Sequence, residues 1–232
     1  MSLPFFYSQD LGGTELELIE EQSRHAVQVL RMSNGDRLQL TDGKGCLLTA
    51  EVIRADKKRC RVRVIDRNLL PPPSRRITIG ISLLKHSTRL EWFLEKATEL
   101  GVSEIVPLRC ARTEKQQLRL ERLQAICTSA MLQSQQCWLP VLREAQTFES
   151  VLARPEATQR FIAWCGPSAE KRHLSAYLPC QQGWILIGPE GDFTDQEFHA
   201  ACEAGFLPVS LGDTRLRTET AGVVAAALLC LG

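Results

Sequence analysis

Two short stretches hold the residues whose types and spacing could do chemistry. The first is Gly188-Pro189-Glu190-Gly191-Asp192, which follows the apolar run Trp184-Ile-Leu-Ile187. The second is Leu211-Gly-Asp-Thr-Arg-Leu-Arg-Thr-Glu-Thr-Ala221. A glycine turn at the end of a buried strand leaves bare backbone amides, and glycine admits backbone conformations closed to other residues. In an α/β domain the loops at the carboxyl ends of parallel strands are where small ligands settle, so two such loops suggest one pocket. Spacing alone also fits a plain turn. Arg217 and Glu219 stand directly before a helix dominated by Ala, Gly, Val and Leu. Charges are seldom placed beside such desolvated backbone unless they are paired or used, although Thr218 or Thr220 would also serve as a simple helix cap.

The elements that must position these loops are readable along the chain. From Glu20 to Leu30 a short helical stretch puts Ala26, Val27 and Leu30 on one side, and Ser33-Asn-Gly-Asp36 is a turn. Arg37 to Thr41, Cys46 to Ile53 and Arg59 to Ile65 then read as strands, with Asp42-Gly-Lys-Gly45 as a hairpin turn, which makes a small β-rich domain over residues 1–70. The period of two sends Arg59, Arg61 and Arg63 to one face and Cys60, Val62 and Val64 to the core. That basic ridge is either a solvated strand face or a contact surface for an RNA backbone.

Pro71-Pro-Pro73 stiffens a linker over residues 71–76, and beyond it apolar strands alternate with helical periods over residues 77–232. Ile77, Ile79, Ile81 and Leu83 mark a strand, and Leu90, Phe93, Leu94, Ala97 and Leu100 one face of a helix ending at Gly101. Strands follow at Ile105 to Leu108, Arg160 to Trp164, Trp184 to Ile187 and Pro208 to Leu211. Helices follow at Leu120 to Met131, after a Thr194-Asp-Gln-Glu197 capping box, and from Thr218 to Leu231. Such alternation implies a parallel sheet covered by helices.

Composition excludes more than it selects. Lys and Arg total 28 against 27 Asp and Glu, so a nucleic-acid role must rest on local patches. Nine cysteines without a Cys-x-x-Cys pair read as free thiols, not as a disulfide or metal framework. No stretch reaches the roughly 18 apolar residues of a membrane span, and the start lacks a secretory signal, which points to a cytoplasmic protein. The dinucleotide, triphosphate-loop and serine-elbow fingerprints are all missing. His25, His86, His173 and His199 show no ligand spacing.

Ile187-Gly-Pro-Glu-Gly191, followed by Leu211-Gly212 and Leu216-Arg-Thr-Glu-Thr-Ala221, resembles the signature of the 16S ribosomal RNA uridine-N3 methyltransferases, the RsmE family of the SPOUT class. The resemblance extends over nearly the whole chain. It takes in His25 with Val29-Leu-Arg-Met32, Leu84-Lys85 with Arg89-Leu-Glu91, Lys96 with Glu99-Leu-Gly-Val102, Pro107-Leu108 and Arg112-Thr113. It implies a PUA-like β-barrel that binds RNA, then a trefoil-knotted α/β domain that holds S-adenosylmethionine without a metal, in a homodimer with the active site at the subunit interface. On that resemblance Leu186, Gly188, Pro189, Glu190, Gly191, Leu211, Gly212, Leu216 and Thr218 would hold the cofactor. Arg217, Arg112 and Glu219 would form the catalytic set, and Arg31, Arg59, Arg61, Arg63, Lys85 and Arg89 would meet 16S rRNA of the small subunit.

One stretch departs from the family pattern. Many members carry Glu-Gln-x-Gly-Arg near the end of the helix that precedes a proline, whereas this chain has Leu132-Gln-Ser-Gln-Gln136 before Trp138-Leu-Pro140. Two alternatives therefore stand beside a uridine-N3 methyltransferase: a non-catalytic RNA-binding protein of the same architecture, and a SPOUT enzyme acting on another rRNA or tRNA position. Asp192 also replaces a second glycine common in the family, a change that needs only a turn tolerant of left-handed backbone.

Overall fold

The computed structural model describes residues 3–113, 118–154, 159–166 and 171–232. It divides into two compact units, residues 1–72 with 131–139, and residues 73–130 with 140–232.

The first unit is a five-stranded sheet in the order β1-β3-β4-β5-β2. The strands are β1 (Phe5–Tyr7), β2 (Glu15–Glu17), β3 (Arg37–Thr41), β4 (Cys46–Arg54) and β5 (Arg61–Leu69). β1 and β3 are parallel, and the other pairs are antiparallel. Alternation along the strands sends Leu38, Leu40, Leu48, Ala50, Val52 and Val62 into one core with Phe6 and Cys60. The burial of each large aliphatic side chain contributes about 1.5–3 kcal/mol. The short helix α1 (Glu20–Arg24) continues into a π turn over His25–Val29. The wider turn rotates the chain after Ala26, so Leu30 is left 41% exposed and Met32 fills the core instead. Trp138 lies across the tight hairpin turn, its ring so near Gly45 that a Cβ there would come within 2.4 Å of it.

The second unit is a mixed α/β layer structure. Its eight-stranded sheet runs β11-β13-β10-β12-β6-β7-β8, with β9 also paired to β7, and every neighbouring pair is parallel. The central strands are β6 (Arg76–Ser82), β7 (Glu104–Arg109), β10 (Gln159–Ala163), β12 (Gln182–Ile187) and β13 (Leu207–Ser210), with the two-residue strands β8 (Val141–Leu142), β9 (Gln146–Thr147) and β11 (Arg172–His173) outside them. Helices α2 (Ser87–Glu99), α3 (Leu120–Gln133), α4 (Phe148–Leu152), α5 (Asp195–Glu203) and α6 (Thr218–Leu231) complete the layers. The central strands are buried on both faces, which is why they read as apolar runs.

Helix α6 returns from β13 to pack on α2, β6 and β12. Its small residues set the distance: a Cβ on Gly222 would fall 2.6 Å from the buried ring of Phe93. At α5 the expected capping box is present, with Thr194 and Glu197 bonded reciprocally. Gly101 and Gly205 follow α2 and α5 with φ of 85° and 86°, in keeping with left-handed helix stops.

Candidate active site

Strands β10, β12 and β13 are parallel and in register, Ala163 lying opposite both Ile187 and Val209. Their carboxyl ends therefore finish side by side, and the three loops that leave them line a cavity of ≈ 830 Å³. That is ample for a nucleoside-sized ligand.

The loop after β12 is held by its own Asp192 and, from outside, by Arg112 and Arg215. Asp192 adopts φ of 61°, accepts the amide of Phe193 at its Oδ1 (2.9 Å) and that of Cys165 at its Oδ2 (3.0 Å). The left-handed residue of the turn is thus Asp192, as its tolerance for that region allows, and neither Gly188 nor Gly191 has positive φ. Both glycines sit in tight surroundings: a Cβ on Gly188 would lie 3.1 Å from Phe193, and one on Gly191 3.3 Å from the Arg112 side chain, so these neighbours would have to shift by a few tenths of an ångström. Arg112 Nη1 donates to the carbonyls of Gly191 (2.6 Å) and Phe193 (3.2 Å). Glu197, besides capping α5, accepts the amide of Ala111 at 2.7 Å, which fixes the segment carrying Arg112. From the loop after β13, Arg215 Nη2 donates to the carbonyl of Glu190 at 3.3 Å.

Gly188, Pro189, Glu190, Leu211, Gly212, Leu216, Arg217 and Thr218 all line the cavity. Leu186 is buried in the sheet and Ile187 reaches the wall, while Gly191 turns its carbonyl to Arg112. Glu219 is buried just behind Thr218, and Arg89 contacts it at 3.7 Å and Glu190 at 4.0 Å. Arg89 therefore joins two elements of the site, whereas Lys85 is exposed in the loop after β6. Sequence reasoning did not single out Trp164, Lys171 and Arg215, which also line the cavity. Lys171 Nζ donates to the carbonyl of Gly166 at 2.9 Å. Arg215 lies inside the Leu211–Ala221 stretch, but no role of its own was legible there.

The thiols near the site are poor nucleophiles. Burial, then the Glu197 carboxylate, pushes Cys110 up to about 12, and burial followed by Asp192 raises Cys165. Among the described residues no group of three His, Cys, Asp or Glu side chains is placed to hold a metal ion, and no helix is long and apolar enough to cross a membrane.

In the first unit Arg59, Arg61 and Arg63 are exposed, as the alternation implies, but β2 brings carboxylates against them. Glu17 lies 3.1 Å from Arg61 and 3.9 Å from Arg59, and Glu15 lies 3.4 Å from Arg63. The ridge is a cross-strand ion ladder, which reading β5 alone did not reveal. Arg31 is exposed with φ of 56° beside the exposed Val29 and Leu30.

Comparison with known proteins agrees with this geometry. Residues 71–230 match the RNA methyltransferase domain family, and residues 18–65 match the RNA methyltransferase PUA domain. A ribosomal RNA small subunit methyltransferase E from Synechocystis is 34% identical over 90% of this chain and 71% of its own length. The crystal structure of a probable rRNA-methyltransferase from Porphyromonas gingivalis is 43% identical with a TM-score of 0.89, covering 97% of this chain and 95% of that one. That of a ribosomal RNA small subunit methyltransferase E from Neisseria gonorrhoeae, bound to S-adenosyl methionine, is 29% identical with a TM-score of 0.86, at the same coverage. With its methyltransferase domain matched over residues 71–230 and at least 90% of its length aligned to such enzymes, the chain belongs to the RsmE family of ribosomal RNA methyltransferases.

Proposed function

We propose that this protein transfers a methyl group from S-adenosylmethionine to N3 of a uridine in 16S rRNA of the small ribosomal subunit. The observation that carries this reading is the cavity at the ends of β10, β12 and β13, walled by both glycine-bearing loops. Its chemistry suits the cofactor: the lining carries Lys171, Arg215 and Arg217 beside Glu190, Asp192 and Asp213. Cationic and acidic side chains together fit a ligand with both an ammonium and a carboxylate. When bound, the cofactor supplies a methyl already activated on a sulfonium.

The protein's part is to bind and to orient. Leu186, Gly188, Pro189, Glu190, Gly191, Leu211, Gly212, Leu216 and Thr218 form the cofactor wall, largely through backbone. Arg217 lines the cavity, where a cation would stabilise charge developing on the uridine ring. Arg112 and Glu219 support it, and Lys85 and Arg89 with Arg31, Arg59, Arg61 and Arg63 provide RNA contacts. Residues 1–70 act as the RNA-binding domain, 71–76 as the linker and 77–232 as the catalytic domain, its carboxyl-terminal segment threaded as a trefoil knot. The family resemblance adds a cytoplasmic homodimer.

The test is calorimetric titration of S-adenosylmethionine into the wild type and into Gly188→Val, with methylation of purified small subunits mapped by mass spectrometry. Saturable binding lost in the variant, with one uridine methylated at N3 by the wild type, is the expected result. Binding without transfer favours the non-catalytic reading, and a methyl on tRNA or on another rRNA position moves the substrate. Sedimentation of the wild type checks the dimer.

A further inference from the structure

Glu219 is the second residue of α6 and only 7% exposed. Its Oε1 lies 3.7 Å from Arg89 Nε, beyond hydrogen-bond length, and its Oε2 has no hydrogen-bond partner among the described residues. A carboxylate oxygen can accept two hydrogen bonds, and buried ones almost always accept at least one. This oxygen is an unsatisfied acceptor closed to solvent, directly behind the cavity-lining Thr218, so a donor reaches it only when the groups covering it move aside. The preceding residues Arg217 and Thr218 line the cavity, and Arg89 also faces Glu190 on its wall.

Uridine presents O2, N3–H and O4 along its pairing edge: one donor between two acceptors. A carboxylate oxygen beside a guanidinium matches the donor and one of its neighbours. We propose that Glu219 Oε2 accepts the N3 proton of the target uridine, with Arg89 balancing its charge; the proposal rests on the function given above. The N3–H bond breaks, its proton passes to Oε2 and its electron pair stays on N3. That pair takes up the methyl as sulfur keeps the pair of the broken carbon–sulfur bond, and Glu219 then releases the proton to solvent. Cytidine, whose N3 is a bare acceptor, is repelled by the same carboxylate.

Glu219→Gln preserves shape but cannot take a proton. Single-turnover methylation should slow by about 10²–10⁴-fold, with S-adenosylmethionine affinity by calorimetry unchanged within about threefold. The residual rate should rise about tenfold per pH unit, because hydroxide must then remove the proton. Arg89 from α2 contacts this carboxylate, and Glu190 from the loop after β12 contacts Arg89 in turn; Arg89→Lys and Glu190→Gln should keep the wild-type slope. In a binding readout, wild type should prefer an RNA with uridine at the mapped position over one with cytidine, and Glu219→Gln should lose that preference. If Glu219→Gln fails to fold, Glu219→Asp should retain the wild-type slope at a lower rate. A Glu219→Gln rate within about threefold of wild type, or a loss confined to cofactor affinity, overturns the proposal. A wild type that transfers no methyl to small-subunit RNA overturns the function and the proposal together.

Discussion

Arg112 donates its Nη1 to the carbonyl of Gly191 at 2.6 Å, so the cavity loop after β12 is tied to the segment that follows β7. The same nitrogen reaches Phe193 at 3.2 Å, and Glu197 fixes the neighbouring Ala111. Arg112 thus clamps the loop proposed above as the cofactor wall. A charge-assisted hydrogen bond of this kind is worth about 1.5–3 kcal/mol when buried and less at an exposed site. Arg112→Ala is expected to weaken S-adenosylmethionine binding by roughly three- to tenfold, with Arg112→Lys in between, as read by calorimetry. Single-turnover rates at saturating cofactor decide between two roles. A rate preserved in Arg112→Ala marks a clamp, and a loss of about 10²-fold or more marks a cation acting on the uridine.

Glu104 gives a stability prediction with a definite sign. Burial opposes its charge, but hydrogen bonds from Arg143 (2.6 Å) and Arg154 (3.0 Å) more than offset this and hold its carboxyl below the ordinary value of 4.5. A depressed folded-state pKa means the stabilisation is present above the unfolded value and is lost as pH falls through the folded one. Glu104→Gln should therefore destabilise at neutral pH by about 1–3 kcal/mol, the cost of leaving the largely buried Arg154 short of its charged partner while Arg143 stays half exposed. The gap to wild type in urea titrations should shrink below pH 4.5. A gap that stays constant into acid would mean that size and packing, not charge, set the effect.

Where the sequence was legible, one element carried its own pattern. β6, α2, β7, β12, β13 and α6 were readable because each buries a face with a regular period, and α6 was bounded at Thr218 and Leu231 as it is seen. What could not be read depends on a second element. The ion ladder needed Glu15 and Glu17 to come beside β5, and the clamp on Gly191 needed β7 beside β12 through β6. The short strands β8, β9 and β11 have two residues each, too few for any period. The π turn after α1 likewise has no hydrophobic period to announce it, so Leu30, read on one side with Ala26, is exposed where Ala26 is buried.

Gln135 occupies the place of the family's glycine in the altered helix end, and its φ is 56°. It ends α3 in the left-handed conformation, with its amide donating to the carbonyl of Leu132 at 3.1 Å. That conformation costs a non-glycine residue about 1–2 kcal/mol, part of which glycine gives back through a more flexible unfolded chain. Gln135→Gly is expected to stabilise the protein by about 0.5–1 kcal/mol, seen as a higher Tm. An unchanged or lowered Tm would mean that the Gln135 side chain makes interactions outweighing the strain.

The ion ladder on β5 makes the last prediction, and its sign depends on whether the ridge meets RNA. Glu15 and Glu17 hold Arg63 and Arg61 in cross-strand pairs at 3.4 and 3.1 Å. The pairs are exposed, so each adds only about 0–1 kcal/mol to stability. Their larger effect is on the potential of the face, where each carboxylate offsets a cation that a phosphate would otherwise engage. Replacing Arg59, Arg61 and Arg63 by Ala should weaken RNA binding and flatten its salt dependence by about one unit of slope for each phosphate no longer neutralised. Glu15→Gln with Glu17→Gln should do the reverse, tightening binding and steepening the slope, while cofactor affinity stays as in the wild type. Fluorescence anisotropy between 50 and 200 mM salt, roughly the range over which phosphate binding weakens most visibly, separates the cases. If neither variant moves the slope, the ladder is a solvated strand face and RNA is held elsewhere.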